Sequence, residues 1–375
     1  MGVLLLEAHI LVPVQEILIA LVEEIVIHLV KNYKFYKHLI LILIFSISND
    51  YATAEVIKRL RDLDQEVVRI NRDDNIYKFH KITDKEILFK NLEQQKTYNL
   101  LDAKSCWWRR TGLSKNHFLL DKKRINFKAN GFNLDSLING SWNLTSKETN
   151  DLTNFIQTKI YQTCTINVGS PWRYDLNKLK VLRIAKKHGL DTPKYEIISN
   201  LNQIVHNDFS TDKFVTKAIC EGVYKTIDKH HFYSYTESYS IKDFSEEISN
   251  ISIFPSLIME QIEKTMEIRS FFLAGSFYSM AIFSQANEQT KVDFRKYDLE
   301  KPNKCEPFQL PETIEKKLKK VFEELDLNCG SIDIIIDNNG NYVFLEINPV
   351  GQYNMTSDPC NYNIDNVIAN YLIRG

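Results

Sequence analysis

Glycine is scarce in this chain, 12 residues in 375, where ordinary usage would supply roughly twice as many. No two glycines stand two apart, so the GxGxxG fingerprint of a dinucleotide site is absent, and GxxxxGK[ST] is absent too. An enzyme of this composition that handles nucleotide phosphates must neutralise them with side chains instead of a glycine-rich backbone cradle. An excess of one charge is also lacking. Lys and Arg number 47 against 48 Asp and Glu, a net charge of −1, so no bulk attraction to nucleic acid or to an anionic membrane is expected. The six cysteines are scattered without a CxxC pair. That pattern reads as reduced, mostly buried thiols of a cytoplasmic protein, not as disulfides or a zinc centre. Methionine is missing between Met1 and Met259.

What is present is enough chain for two or three domains and a sizeable core. Residues 1–37 stand apart as an extension. Val14, Ile17, Leu18, Leu21, Ile25 and Leu29 recur at helical spacing, with Glu16, Glu23 and Glu24 between them. Together with the early Glu7, those glutamates argue against a secretory signal and a membrane span. The segment fits a docking helix, which would make a second copy a candidate partner in a homodimer. It also fits an over-extended start, which the methionine gap would require to be corrected by a non-ATG initiator near Leu39; the second description is preferred.

From residue 38 to 145 the pattern predicts a small α/β domain. LILILIF (39–45) has the length and branching of a buried strand, a helix carries Val56, Ile57, Leu60 and Leu63 on one face, and EVVRI (66–70) is the next strand. CWWRR (106–110) is predicted as a later strand, with Trp107 and Trp108 in the core and Arg109 and Arg110 available to a cleft. Residues 146–263 read as a second region. It holds a helix from Glu148, a basic helix over Asn177–His188 stopped by Gly189 and Pro193, and strands at 195–199, 213–219 and 257–262. A Tyr-rich segment, 224–239, alternates like an exposed flap. In residues 264–375 a hairpin is predicted to turn at Gly275-Ser276, followed by helices over 312–326 and 363–373.

The most informative stretch is CGSIDIIIDNNGNYVFLEINPVGQY (329–353). Asn339-Gly340 is a strong signal for a two-residue hairpin loop. Counting outward from it places Ile336 opposite Val343, Ile334 opposite Leu345, and Ile332 opposite Ile347, one apolar face. The other face sets Asp333 against Glu346, with Asn348 two residues along. Facing carboxylates repel unless a cation lies between them, and oxygen donors of this kind suit Mg²⁺. A solvated polar face is the plain alternative.

Other candidates are weaker singly. Lys217 is predicted on a strand between Val215 and Ile219, on their apolar side, where an unpaired charge would be costly. Lys178 at a helix start is by itself an ordinary surface charge. Glu260, Gln261, Ile262 and Glu263 end a strand. Arg269 and Arg295 sit in apolar-flanked segments, where Glu267 and Asp293 offer purely structural partners.

The order of these segments resembles the ATP-grasp superfamily: NKLKVLRIAKKHGLDTPK (177–194), FVTKAI (214–219), LIMEQIE (257–263), EIRSFF (267–272), VDFR (292–295) and GSID…FLEINPVGQY (330–353). The GQY extension, SDPCNY (357–362), WWRR and DFR are similar to the ATP-grasp ribosomal peptide maturases, the microviridin-type macrocyclases and grasp-with-spasm maturases. The resemblance implies α/β and α+β architecture, a pre-ATP-grasp domain followed by two lobes (146–263 and 264–375) that clamp ATP. It implies Lys178 and Lys217 on the nucleotide phosphates, Glu260, Gln261 and the Ile262 backbone near adenine, Glu263 on the ribose, and Asp333, Glu346 and Asn348 on Mg²⁺. Arg269 and Arg295 would offset charge on the transferring phosphoryl group. The chain departs from the superfamily at CEGVYKT (220–226), which has one glycine, Gly222, where a richer phosphate-covering loop is common.

The implied activity is ATP-dependent activation of Asp or Glu side chains in a leader-bearing precursor peptide, closing ω-ester or ω-amide rings. Two other activities compete: addition of a free amino acid to a small molecule or protein tail, and a catalytically silent nucleotide-binding scaffold. Joint retention of Lys217, Arg269, Asp333, Glu346 and Asn348 weighs against the scaffold.

Overall fold

The computed structural model describes residues 39–110, 112–118, 134–173, 175–205, 207–219, 224–227, 230–233, 236–244, 251–296 and 298–374. The helix expected within 1–37 and the glycine of the 220–226 segment lie outside them. Among the described residues no helix is long and apolar enough to cross a membrane.

The first sheet is all parallel, in the order β2-β1-β6-β7, from β1 (Leu41–Ser46), β2 (Glu66–Asn71), β6 (Ala103–Trp108) and β7 (Ile166–Val168). Ile42, Leu43, Ile44 and Phe45 are all fully buried, as the unbroken apolar run requires of a strand covered on both faces. Helix α1 (Tyr51–Asp62) follows, capped by Asp50, whose Oδ1 accepts from Thr53 N at 3.0 Å. Trp107 and Trp108 are core residues, as expected. Between β2 and β6 lies a small antiparallel sheet that the apolar periodicity does not predict, formed by β3 (Tyr77–Ile82), β4 (Ile87–Asn91) and β5 (Thr97–Asn99). Helix α2 (Leu134–Thr163) runs through residue 145, and β7 beyond it still belongs to the first sheet.

The second sheet, in the order β12-β9-β13-β8, consists of β8 (Tyr195–Asn200), β9 (Lys213–Thr216), β12 (Glu237–Ser240) and β13 (Ser252–Glu260). In sequence α3 (Lys178–Lys187) precedes it and the short α4 (Asn202–Val205) lies between β8 and β9. Strand β9 is shorter than the predicted 213–219. Its neighbours β12 and β13 both stop pairing at Thr216, so Lys217 lies just past the strand. The Tyr-rich segment divides. β10 (Tyr224–Ile227) and β11 (His230–Tyr233) pair as a separate two-stranded hairpin, while β12 joins the second sheet.

The third sheet has the order β16-β15-β14-β17-β18, made from β14 (Lys264–Leu273), β15 (Ser276–Phe283), β16 (Lys304–Phe308), β17 (Cys329–Asp337) and β18 (Tyr342–Asn348). The β14–β15 turn falls at Ala274-Gly275, one residue before the predicted place. Leu273 pairs with Ser276, and both loop residues have positive φ, +46° and +98°. Helices α3 and α5 (Glu312–Glu324) cover one face, with Val181, Leu182, Leu318 and Phe322 packed against Ile332, Ile334 and Phe344. A one-residue slip of β17 would turn Ile332, Ile334 and Ile336 out of this core, at about 1.5–3 kcal/mol each. Helix α6 (Asn354–Cys360) was not anticipated from SDPCNY. The last helix, α7 (Ile364–Leu372), packs on α1 and on β6 and β7, returning the C-terminus to the first sheet.

Candidate active site

The β17–β18 hairpin keeps its key pair by a compensation. Asp337 N donates to Asn341 O at 3.1 Å, and Gly340 N donates to Asp337 O at 3.1 Å with Gly340 at φ +83°. The loop therefore has three residues, not two, and the ladder starts one place off, with Ile336 opposite Tyr342 and Ile334 opposite Phe344. The expected pairs Ile336–Val343 and Ile334–Leu345 do not form. A bulge at Leu345 then restores the count, so that Asp333 faces Glu346, Ile332 faces Ile347 and Ser331 faces Asn348. Because a bulge re-aims side chains, Leu345 and Glu346 both line the same cavity.

That cavity, of about 320 Å³, is walled by the second and third sheets and the start of α3, and lies within the usual size of a small-molecule site. Nine of the eleven predicted site residues line it: Lys178, Lys217, Glu260, Gln261, Ile262, Glu263, Arg295, Asp333 and Glu346. Arg269 and Asn348 do not. Arg269 is buried against Asp333, with Nη1 at 2.7 and 2.6 Å from the two carboxylate oxygens. Its partner is its register neighbour across β14–β17, not Glu267. Glu267 instead pairs with Lys264 at 2.9 Å and accepts from Ser284 Oγ at 2.8 Å. Burial pushes the Glu267 carboxyl up, against the pull of Lys264. This buried Lys264–Glu267 pair lines the cavity and carried no signal as a site in the sequence.

Glu346 Oε2 lies 3.1 Å from Lys217 Nζ and 3.8 Å from Lys178 Nζ. Lys178 also donates to Ala218 O at 3.1 Å. Burial alone would raise the Glu346 carboxyl, but Lys217, Lys178 and Arg295 outweigh it and hold it well below the usual carboxylate range. Lys217 thus has the anionic partner that its apolar setting demanded, although it lies beyond the strand. Arg295 forms a two-pronged pair with Asp293, Nε to Oδ1 at 2.8 Å and Nη2 to Oδ2 at 2.6 Å. The paired carboxylate raises the guanidinium above its ordinary value despite burial.

At the opposite wall the chain leaves β13. Glu260 is buried and its Oε1 accepts from Ser210 N at 2.9 Å, while Gln261 N donates to Lys213 O at 3.1 Å and Gln261 Oε1 accepts from Ser238 Oγ. Among the described residues, no hydrogen bond engages the backbone of Ile262. With Met259 and Pro193 beside it, this wall offers apolar surface and an edge of backbone polar groups, the requirements of a planar heterocycle.

The donors on the strand pair fit Mg²⁺. Asp333 and Glu346 face each other, and Asn348 follows on the same face with its Oδ1 accepting from Val350 N at 3.0 Å. Among the described residues no three His, Cys, Asp or Glu side chains gather as a self-sufficient metal cage. Two carboxylates and an amide oxygen suit a hard cation whose shell is completed by water and phosphate.

No protein-family model and no curated protein matches the chain. Solved structures do. An ATP-grasp ligase from Chryseobacterium gregarium, associated with ribosomal peptides and seen with ADP and a leader and core peptide, is 23% identical at TM-score 0.70, over 89% of this chain and 96% of its own. The macrocyclase MdnC from Microcystis aeruginosa, bound to precursor peptide MdnA, is 21% identical at TM-score 0.65, over 89% of this chain and 100% of its own. The ATP-grasp ligase PsnB, complexed with a precursor variant, Mg and ADP, is 15% identical at TM-score 0.62, over 90% and 98%. Likeness across about nine-tenths of the chain, at identities this low, establishes architecture: this chain has the ATP-grasp fold.

Proposed function

We propose that the protein is an ATP-dependent ligase that activates Asp or Glu side chains of a ribosomally made, leader-bearing peptide and joins them to Ser or Thr hydroxyls or Lys amines. One observation carries this reading: the Asp333–Glu346 pair with Lys217, Lys178, Arg269 and Arg295 around it. Its fold neighbours solved with peptide and nucleotide support the same conclusion. The peptide carboxylate attacks the γ-phosphorus of ATP, giving an acyl phosphate and ADP. A hydroxyl or amine of the same peptide then attacks the acyl carbon, releasing phosphate and closing an ester or amide ring.

Lys178 and Lys217 would bind the nucleotide phosphates, which would draw them from Glu346. Glu260, Gln261 and the Ile262 backbone would hold adenine and Glu263 the ribose. Asp333, Glu346 and Asn348 would hold Mg²⁺, which when bound supplies charge neutralisation on the phosphates. Arg295, held in place by its two bonds to Asp293, faces the cavity where charge would develop on the phosphoryl group, and Arg269 orients Asp333 from behind. The 146–263 and 264–375 regions would close on the nucleotide, excluding water that would hydrolyse the acyl phosphate. The β10–β11 hairpin is the proposed peptide-contacting lid.

The test is incubation with ATP, Mg²⁺ and a leader-bearing acidic peptide, read by mass spectrometry. Loss of water from the peptide, with matching ADP, is expected. Gain of a free amino acid, or nucleotide binding without turnover on any acceptor, would overturn the macrocyclase assignment. Deleting residues 224–233 should weaken peptide binding and ring formation; unchanged values would remove the hairpin from that role.

A further inference from the structure

Arg109 is 4% exposed, and no step of the proposed reaction uses it. It stands just past β6, beside the end of β1, where the strand order of the parallel sheet reverses. In an open α/β sheet that crevice is where a ligand ordinarily binds. Here the chain's own loop, 349–353, fills it. Arg109 Nη1 donates to Val350 O at 2.5 Å and to Gly351 O at 2.7 Å. Its Nε donates to Asp50 Oδ2 at 3.1 Å, an ion pair buried on both sides. The guanidinium carbon lies 5.6 Å from the Trp107 ring and 5.7 Å from the Tyr353 ring, within cation–π range. Tyr353 is itself tied to the first sheet's helix, its hydroxyl donating to Ala52 O at 3.1 Å.

The loop held in this way is the direct continuation of β18. Gly351 N donates to Asn348 O at 3.1 Å, and Val350 N donates to Asn348 Oδ1 at 3.0 Å. The carbonyls of Val350 and Gly351 are thus fixed by Arg109, while the N–H groups of the same two residues fix Asn348. Gly351 has φ +64°, and a Cβ there would come within 3.0 Å of Phe271 and 3.3 Å of Cys329 Sγ, so this turn has one residue it accepts. Ser331 Oγ adds a bond to Gln352 O at 3.1 Å. We infer that Arg109 is a positioning residue: it anchors the 348–351 turn to the first sheet and so sets the direction in which Asn348 presents its carboxamide oxygen to the metal. The inference rests on the ligase reading above.

Lysine cannot replace the fork, since one ammonium must serve acceptors on two sides. Titration calorimetry with Mn²⁺ and ADP should show binding weakened about tenfold in Arg109→Lys, the lower end for loss of a group that orients a metal ligand. The Mg²⁺ concentration for half-maximal ADP formation should rise by a similar factor, with turnover recovering at saturating Mg²⁺. Asp50→Asn should shift both in the same direction by less. A merely structural role would lower the melting temperature and the active fraction but leave Mn²⁺ affinity of the folded protein unchanged, and that result overturns the inference. Should Arg109→Lys fail to fold, Ser331→Ala, which releases one bond to the same loop, carries the test: weaker Mn²⁺ binding supports it and equal binding overturns it. Wild-type protein that binds no Mn²⁺ with ADP would contradict the ligase reading itself.

Discussion

The wall of the cleft built on β14, β17 and β18 is carried by strands paired along most of their length, whereas the wall at residues 260–263 is the point where a strand runs out. On β14, β17 and β18 the functional groups are set by strand alternation and one bulge, and each carboxylate is already neutralised by a cation, Asp333 by Arg269 and Glu346 by Lys217. From Glu260 to Glu263 the chain is held by bonds to Lys194, Ser210, Lys213 and Ser238, drawn from loops and short strands. One wall concentrates charge in fixed geometry, and the other offers shape and backbone. Substitutions should therefore be severe on the first and graded on the second.

The largest effect is expected at Glu346→Gln. Removing this carboxylate takes away both a proposed metal ligand and the counter-charge of Lys217 and Lys178, so ADP formation should fall by at least about 10²–10³-fold with an unchanged circular dichroism spectrum. Turnover near wild type would show that the two walls do not differ as described. Next comes Arg269→Met, which leaves Asp333 near Glu346 without its cation. Stability should drop by about 3 kcal/mol in urea denaturation, and Mg²⁺ with ADP should restore part of it. A variant as stable as wild type would mean that the pair is not structural.

Weaker effects should follow at the wall formed by residues 260–263 and at the hairpin tip. Glu260→Gln keeps an acceptor for Ser210 N, so KM for ATP should rise several-fold, on the order of one charge-assisted hydrogen bond, with kcat nearly constant. A collapse of kcat instead would make this wall part of the chemistry. The pH dependence of stability sharpens the same contrast. The folded Glu346 carboxyl titrates below its unfolded value, so its contribution is fully present above about pH 4.3 and is lost as pH falls through the folded value. The stability difference between wild type and Glu346→Gln should shrink progressively below about pH 4.3; a difference that is flat with pH would show that the cations do not hold this group. Smallest is Gly340→Ala at the hairpin tip, where φ is +83°. A cost of about 1 kcal/mol with unaltered ADP formation is expected, and a large activity loss would show that the tip is coupled to the site.

Much of the third sheet was legible because period-2 alternation carries both core and site. Ile332, Ile334 and Ile336 fill the core, as counted, and Asp333 meets Glu346. Yet that opposition survived through two offsetting departures, a three-residue loop and the bulge at Leu345, neither of which leaves a mark in the residue pattern. Proximity in sequence offers Glu267 as a partner for Arg269, whereas the partner it has, Asp333, is close only across the strand register. The reach of β9 was overestimated because apolar residues at 215 and 219 continue the pattern after its neighbours stop pairing. Strands β3 to β5 are short and half exposed, so their alternation is weak. Helix α6 contains Pro359, which hid it. Arg109 could be placed near a cleft, but nothing local announced that its acceptors are the carbonyls of residues 350 and 351.

The central claim is that this cleft turns a peptide carboxylate into an acyl phosphate, and hydroxylamine trapping tests it most directly. With ATP, Mg²⁺ and a leader-bearing acidic peptide, hydroxylamine should intercept the intermediate and leave a hydroxamate on an Asp or Glu side chain of the peptide. That product should form in step with ADP and be absent with Glu346→Gln. ADP release without any hydroxamate, or AMP as the nucleotide product, would contradict it.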